Sequence, residues 1–246
     1  MIYVKRVDRS VPTDARTKPV RPEGGTASGA FGAVIFDLWQ TLVPWPHDAA
    51  ESYYRWMADA YGAPYERFHD AWTSSFRERA TGPIEDNLRS VATALAVEPD
   101  FDRVLAWRLD WTRRSLVPRP DAVPTIEALR ARGQKLGLIT VCSQEVADIW
   151  DETPFAGLFD ATIFSSSVGL SKPDMEIYEL ACEQLDVDPA DCLFVGDGAN
   201  DELPGAERAG MTALQLRAPG EALTPDGEAW QGASIEHLSE VVDLTK

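Results

Sequence analysis

Four places along the chain carry residue types suited to ester or phosphoryl chemistry, and each follows a short apolar run. Asp37 ends Val34-Ile35-Phe36, and Thr140 ends the run that starts at Leu136. Lys172 stands in Gly169-Leu170-Ser171-Lys172-Pro173-Asp174, after Ala161-Thr162-Ile163-Phe164. Asp197 and Asp201 follow Cys192-Leu193-Phe194-Val195 in Gly196-Asp197-Gly198-Ala199-Asn200-Asp201. Such runs, bounded by turn residues, are expected to be buried strands. The carboxyl ends of strands in an open α/β sheet are where ligands bind. Three carboxylates meeting there offer hard oxygen donors of the kind Mg2+ takes. A hydroxyl and an ammonium beside them suit phosphoryl oxygens, and carboxylate attack would split a hard displacement into two steps. Singly, each residue has a plainer role: Asp37 a turn residue, Thr140 a locally bonded hydroxyl, Lys172 a surface charge, Asp201 a helix N-cap. Their joint placement is what points to a site. Cys142 has no histidine placed to activate it and is not taken as a nucleophile.

The elements that must hold these groups follow from periodicity. Between the first and second strands the pattern is helical: Tyr53, Trp56, Met57, Ala60 and Tyr61 recur at spacings of three and four, as do Phe68, Ala71, Trp72, Ser75 and Phe76. Further helices are expected at 84–96 and 101–116, with Gly62, Gly82-Pro83 and Pro99 as breaks. Beyond Pro118-Arg119-Pro120, helices are expected at 122–131, 145–150, 174–185, from the acidic loop to about Ala209, and at 235–244. They alternate with strands ending at Thr140, Phe164, Val195 and Leu216. Alternation of this kind predicts an α/β fold, a parallel sheet covered by helices. Residues 1–30, with Pro12, Pro19, Pro22 and a Gly/Ser-bearing run, read as a flexible arm with a short edge strand at Ile2-Tyr3-Val4. The expected division is therefore 31–46 with 118–246 as the main domain and 47–117 as a helical lid near the first strand's carboxyl end.

The chain has 246 residues, with 23 basic against 40 acidic residues and a formal charge of -17. That excludes general adhesion to nucleic acid or an anionic membrane. No apolar stretch of membrane-spanning length or signal peptide is evident. Three cysteines without zinc-like spacing fit a reduced, cytoplasmic protein, as a monomer or homodimer. Arg55, Arg67, Arg77, Arg79 and Arg89 are candidates in the lid for an anionic substrate, although helix arginines are commonly solvated charges. Trp45, His47 and Trp56 are candidates for substrate contact, Trp56 more readily as core.

Taken in order, Phe36-Asp37-Leu38-Trp39-Gln40-Thr41-Leu42, Leu138-Ile139-Thr140, Ser171-Lys172-Pro173-Asp174 and Val195-Gly196-Asp197-Gly198-Ala199-Asn200-Asp201 resemble the motifs of the haloacid dehalogenase-like hydrolase superfamily. The segment Gly205 to Met211 resembles its continuation. The resemblance implies a Rossmann-like parallel sheet with an inserted helical cap. By it, Asp37 is the nucleophile that forms a phosphoaspartate, and Thr140 and Lys172 bind the transferred group. Asp37, Asp197, Asp201 and the backbone carbonyl of Trp39 hold Mg2+, while Trp39, Thr41, Trp45 and Ser143 line the site of a small anionic organic substrate. The resemblance also identifies the chain as a member with Trp39 replacing the usual second catalytic Asp, and with Val141 where many relatives carry a polar residue. Without that Asp, a good leaving group is the easier phosphate substrate. Two alternatives stand: a metal-independent 2-haloacid dehalogenase, and a weakly catalytic binder of phosphoryl ligands. The extra charge of Asp197 beside Asp37 favours a bound cation over the dehalogenase.

Overall fold

The computed structural model describes residues 31–45 and 47–245, with backbone alone for 47–49. The expected arm and its edge strand lie outside the described residues. Strand β1 (Ala33–Phe36) is buried at every residue because both its faces are covered. Val34 and Phe36 pack into one apolar cluster with Ile126 and Leu129, and Ala33 and Ile35 into another with Ile177 and Ala181. Side chains alternate between the faces of a strand, so one four-residue run serves both layers. Fully burying Ile35 or Phe36 contributes about 1.5–3 kcal/mol each.

Helices α1 (His47–Tyr61), α2 (Tyr65–Ser74), α3 (Phe76–Thr81), α4 (Ile84–Leu95) and α5 (Phe101–Ser115) follow β1 without an intervening strand. They form the inserted helical region and have their own core of Met57, Phe68, Trp72, Leu88, Val91 and Val104. α4 stops where Ala96 turns left-handed at φ 56, and α5 starts where Asp100 caps the Arg103 N–H at 3.0 Å.

The chain then returns through α6 (Ala122–Ala131), β2 (Lys135–Thr140), α7 (Gln144–Asp148), β3 (Ala161–Phe164), α8 (Ser165–Val168) and α9 (Met175–Leu185). It closes with β4 (Cys192–Gly196), α10 (Glu202–Arg208), β5 (Thr212–Leu216), α11 (Pro225–Ala229), β6 (Ser234–Ile235) and α12 (Val241–Leu244). The sheet order is β3-β2-β1-β4-β5-β6, with every pairing parallel. The fold is the expected α/β, Rossmann-like parallel sheet flanked by helices, with a helical insertion. One element differs from expectation. Residues 235–244 are not a single helix: Ser234 and Ile235 add a sixth strand, and only 241–244 are α-helical. A two-residue strand is too short to leave a period in the sequence. Among the described residues, no helix is long and apolar enough to cross a membrane.

Candidate active site

The strand order reverses direction at β1, whose neighbours are β2 on one side and β4 on the other. In sheets of this kind, ligands bind in the crevice at such a switch point. Phe36 is in register with Val195, so Asp37 and Asp197 leave adjacent strands side by side, and the Asp37 N–H donates to the Val195 carbonyl at 2.9 Å. The loop after Asp37 folds back on itself. Leu42 and Val43 N–H groups both donate to the Leu38 carbonyl, and Gln40 turns left-handed at φ 60. Gln40 then donates from Nε2 to Asp197 Oδ2 at 3.1 Å. Arg119, buried and not singled out by sequence, braces the loop by donating from Nε to the Thr41 carbonyl at 2.7 Å and from Nη2 to the Gln40 carbonyl at 2.8 Å.

Three buried carboxylates meet beyond the strand ends: Asp37, Asp197 and Glu202 offer ligand oxygens within 4.8 Å of one another. Lys172 stands among them. Its Nζ donates to Asp37 Oδ1 at 2.5 Å and also to Glu202 Oε2. Burial alone would lower the lysine pKa, yet the charges of Asp37 and Glu202 outweigh it and hold the ammonium well above the ordinary lysine range. Burial pushes the Asp197 carboxyl up to about 6, with the charge of Asp37 adding to it. Burial likewise pushes Glu202 up to about 8, Asp37 and Asp197 adding to it against the pull of Lys172.

The position of Glu202 depends on a glycine. A Cβ on Gly196 would lie 2.1 Å from Glu202 Oε1, so no other residue leaves room for the carboxylate. The same oxygen accepts the Gly198 N–H at 3.0 Å, and Gly198 itself has φ 97. Glu202 is the carboxylate of this cluster that the sequence does not single out. Its signal was the spacing to Ala206: residues four apart share a helix face, and Ala206 is fully buried. Asp201, expected as the metal carboxylate, is exposed, left-handed at φ 55 and outside this carboxylate group; it lines a shallow pocket with Arg77 and Ser171.

The expectation that Trp39 replaces a catalytic carboxylate is corrected by this arrangement. The acidic triad is complete with ordinary side chains, Asp37, Asp197 and Glu202, and none of its places is taken by a tryptophan. Trp39 instead forms a wall, packing edge-to-face on Trp45 with ring centroids 5.5 Å apart. The triad's chemistry fits a hard divalent cation, because three carboxylates in a buried site face the single positive charge of Lys172.

Thr140 is fully buried, and its Oγ1 has no nitrogen or oxygen partner among the described residues, with the Cys142 thiol as its polar neighbour. A buried hydroxyl in that state is uncommon, and it stands at the end of β2 next to β1. Thr41, within the loop after β1, is fully buried. Ser143 accepts from Arg108 Nη2 at 3.1 Å. The thiol of Cys142 is pushed up to about 12 by burial and is therefore neutral.

Two cavities adjoin here. One, of about 500 Å³, is lined by Asp37, Gln40, Lys172, Asp197 and Glu202 among others. The other, of about 350 Å³, runs under the helical region and includes Ser143 and Arg79 in its lining. Trp39, Trp45, Phe76 and Val141 line both. Of the other lid arginines proposed from sequence, Arg55 pairs with Glu51, Arg77 with Asp174, and Arg89 lies over Phe101. Trp56 stacks on Trp107 with centroids 3.9 Å apart.

A family model described as haloacid dehalogenase-like hydrolase matches residues 31–210. A phosphatase of Mycobacterium tuberculosis, Phosphatase MT3486, is 31% identical over 209 residues, covering 80% of this chain and 92% of that protein. The glyceraldehyde 3-phosphate phosphatase of Methanopyrus kandleri is 34% identical over 105 residues, 42% of this chain and 44% of that protein, so the chain spans less than half of this relative's length. Among solved structures, the 2-haloacid dehalogenase of Pseudomonas syringae superposes with a TM-score of 0.63 at 24% identity, covering 87% of this chain and 97% of the other. That likeness is one of fold.

Proposed function

The chain belongs to the haloacid dehalogenase-like hydrolases, and from that premise we propose that it is a Mg2+-dependent phosphatase of a small organic phosphate, with Asp37 as nucleophile. The observation that carries this reading is the buried triad of Asp37, Asp197 and Glu202 around Lys172. A site so rich in negative charge repels an anionic substrate unless a cation joins it. Asp37, Asp197, Glu202 and the backbone carbonyl of Trp39 are the groups that would hold Mg2+. When bound, the ion supplies charge neutralisation for the site and for the phosphoryl oxygens.

In this reading, Asp37 attacks phosphorus, the bond to the leaving oxygen breaks, and water then hydrolyses the phosphoaspartate. Lys172, held by Asp37 and Glu202, keeps a positive charge where phosphoryl oxygens arrive. Thr140 Oγ1, with no nitrogen or oxygen partner among the described residues, has a hydrogen bond to give to the same group. The M. tuberculosis phosphatase, similar along nearly its whole length, supports phosphoryl over halide chemistry.

The test is phosphate release from a chemically varied panel of phosphate esters, with Mg2+ and with a chelator, and halide release from 2-chloropropionate in parallel. Expected are phosphate release that needs Mg2+ and its loss by at least about a thousandfold in Asp37→Asn. Halide release that survives chelation, with no phosphate from any ester, would overturn the reading.

A further inference from the structure

The cavity under the helical region has a lining that bond cleavage at Asp37 does not require. Its walls are rings, among them Trp45, Tyr53, Tyr54, Trp72, Phe76 and Trp111. Its volume of about 350 Å³ is enough for a bound organic molecule. It meets the cavity of Asp37 across Trp39, Trp45, Phe76 and Val141, so a ligand occupying it also reaches the strand ends.

Two guanidinium groups enter this cavity in different states. Arg108 is charge-paired. It pairs with buried Glu145, donates to the Tyr53 hydroxyl, and donates from Nη2 to Ser143 Oγ. Arg79 has no ion pair among the described residues. One N–H donates from Nη1 to the Trp72 carbonyl at 2.6 Å, and the group lies 4.3 Å from the Trp72 ring centroid and 5.0 Å from that of Phe76. Guanidinium has five N–H donors in a planar fork that matches a carboxylate. Burial, with the positive charge of Arg108 second, pulls Arg79 down to about 10. A cation drawn partly out of water beside another cation is costly until an anion meets it.

We propose that the leaving part of the substrate is an aromatic group bearing a carboxylate, stacked between these rings with its carboxylate on Arg79. This rests on the phosphatase reading for the other end of the molecule, where the phosphoryl group meets Asp37. The substrate class is then a carboxyl-bearing aryl phosphate. The P–O bond to the aryl oxygen breaks as Asp37 binds phosphorus; one water is consumed overall, giving a hydroxyaryl carboxylate and inorganic phosphate. Ring-lined walls favour flat ligands through offset and edge-to-face contacts. In a chain with a formal charge of -17, a carboxylate on the ligand needs a dedicated cation.

Calorimetric binding of 6-hydroxy-2-naphthoate and of 2-naphthol to the whole chain, without metal or ester, tests the cavity by itself. The acid is expected to bind about tenfold or more tightly than the neutral compound, as a charge-assisted bidentate pair would give. Arg79→Gln should bring the acid to the level of the naphthol, and Arg79→Lys should recover part of the difference. Equal binding of the two compounds by the unaltered protein would overturn the proposal, whether or not the variants fold. So would an acid preference undiminished in folded Arg79→Gln. Phosphate release from 6-phosphooxy-2-naphthoate with Mg2+ separates the two readings. Acid-selective binding without turnover of any ester sinks the phosphatase reading and supports the cavity assignment; turnover without acid preference does the reverse.

Discussion

The two cavities each hold a buried cation, and they use it in opposite ways. At the strand ends, Lys172 faces more negative charge than it can neutralise: Asp37 and Glu202 directly, with Asp197 beside them. Under the helical region, Arg108 meets a single carboxylate, Glu145, and its other donors go to the hydroxyls of Tyr53 and Ser143. The first site has a charge imbalance that a ligand must complete. The pair of Arg108 and Glu145 is balanced and serves as a structural joint between α5 and α7, which leaves Arg79 as the cavity's cation without an ion pair among the described residues. Chemistry is concentrated where charges do not cancel, and architecture where they do.

Substitutions that upset either balance separate these roles. The largest effect is expected at the strand ends. Lys172→Met should reduce turnover below detection and leave two carboxylates without their cation, costing about 3–5 kcal/mol in a denaturant titration without metal. At the joint, Glu145→Gln should cost about 3 kcal/mol in the same titration, since it strands the buried Arg108 charge. Its Mg2+ requirement should stay that of the parent, and a changed Mg2+ midpoint would merge the two regions into one. Next, Glu202→Gln should raise the Mg2+ concentration for half-maximal phosphate release by about tenfold or more, and Asp201→Asn by less than about twofold. The reverse order would return the metal role to Asp201.

The smallest effect concerns Cys142. The folded chain raises its thiol to about 12, above the ordinary value of 9.0, so it favours the protonated form. That contribution is fully present below about pH 9 and is lost as the pH climbs toward 12. Cys142→Ala should therefore lose less stability than the parent over that interval, measured by denaturant midpoints. Identical slopes would show that the thiol is not held neutral.

Much of the strand-end site was legible because it is written locally. Asp37, Thr140 and Asp197 each close an apolar run, and a parallel sheet must bring such ends together. Glu202 was not legible because the choice between it and Asp201 is made by backbone conformation. Asn200 and Asp201 are both left-handed, at φ 55, which delays the helix by one residue and turns Glu202 inward. Asn and Asp tolerate that conformation, but sequence alone does not say that two in a row adopt it. The Arg108–Glu145 joint was hidden for another reason. Its partners stand 37 residues apart, on an inserted helix and a core helix, and neither has a period or motif that names the other. The isolation of Arg79 followed from the same packing: Arg79 could be named as a candidate, but not distinguished from four other lid arginines.

Arg119 gives the helical region a fixed pivot. Its backbone N–H donates to the Leu42 carbonyl, and its side chain holds the carbonyls of Gln40 and Thr41. The chain segment leaving the sheet and the segment coming back are thus clasped at the base of the insertion, like the two leaves of a hinge on one pin. Any swing of the helices has to occur above that clasp. The helix-borne rings Tyr53, Tyr54, Trp72 and Trp111 stand beyond that clasp, while Trp39 belongs to the clasped loop that follows Asp37.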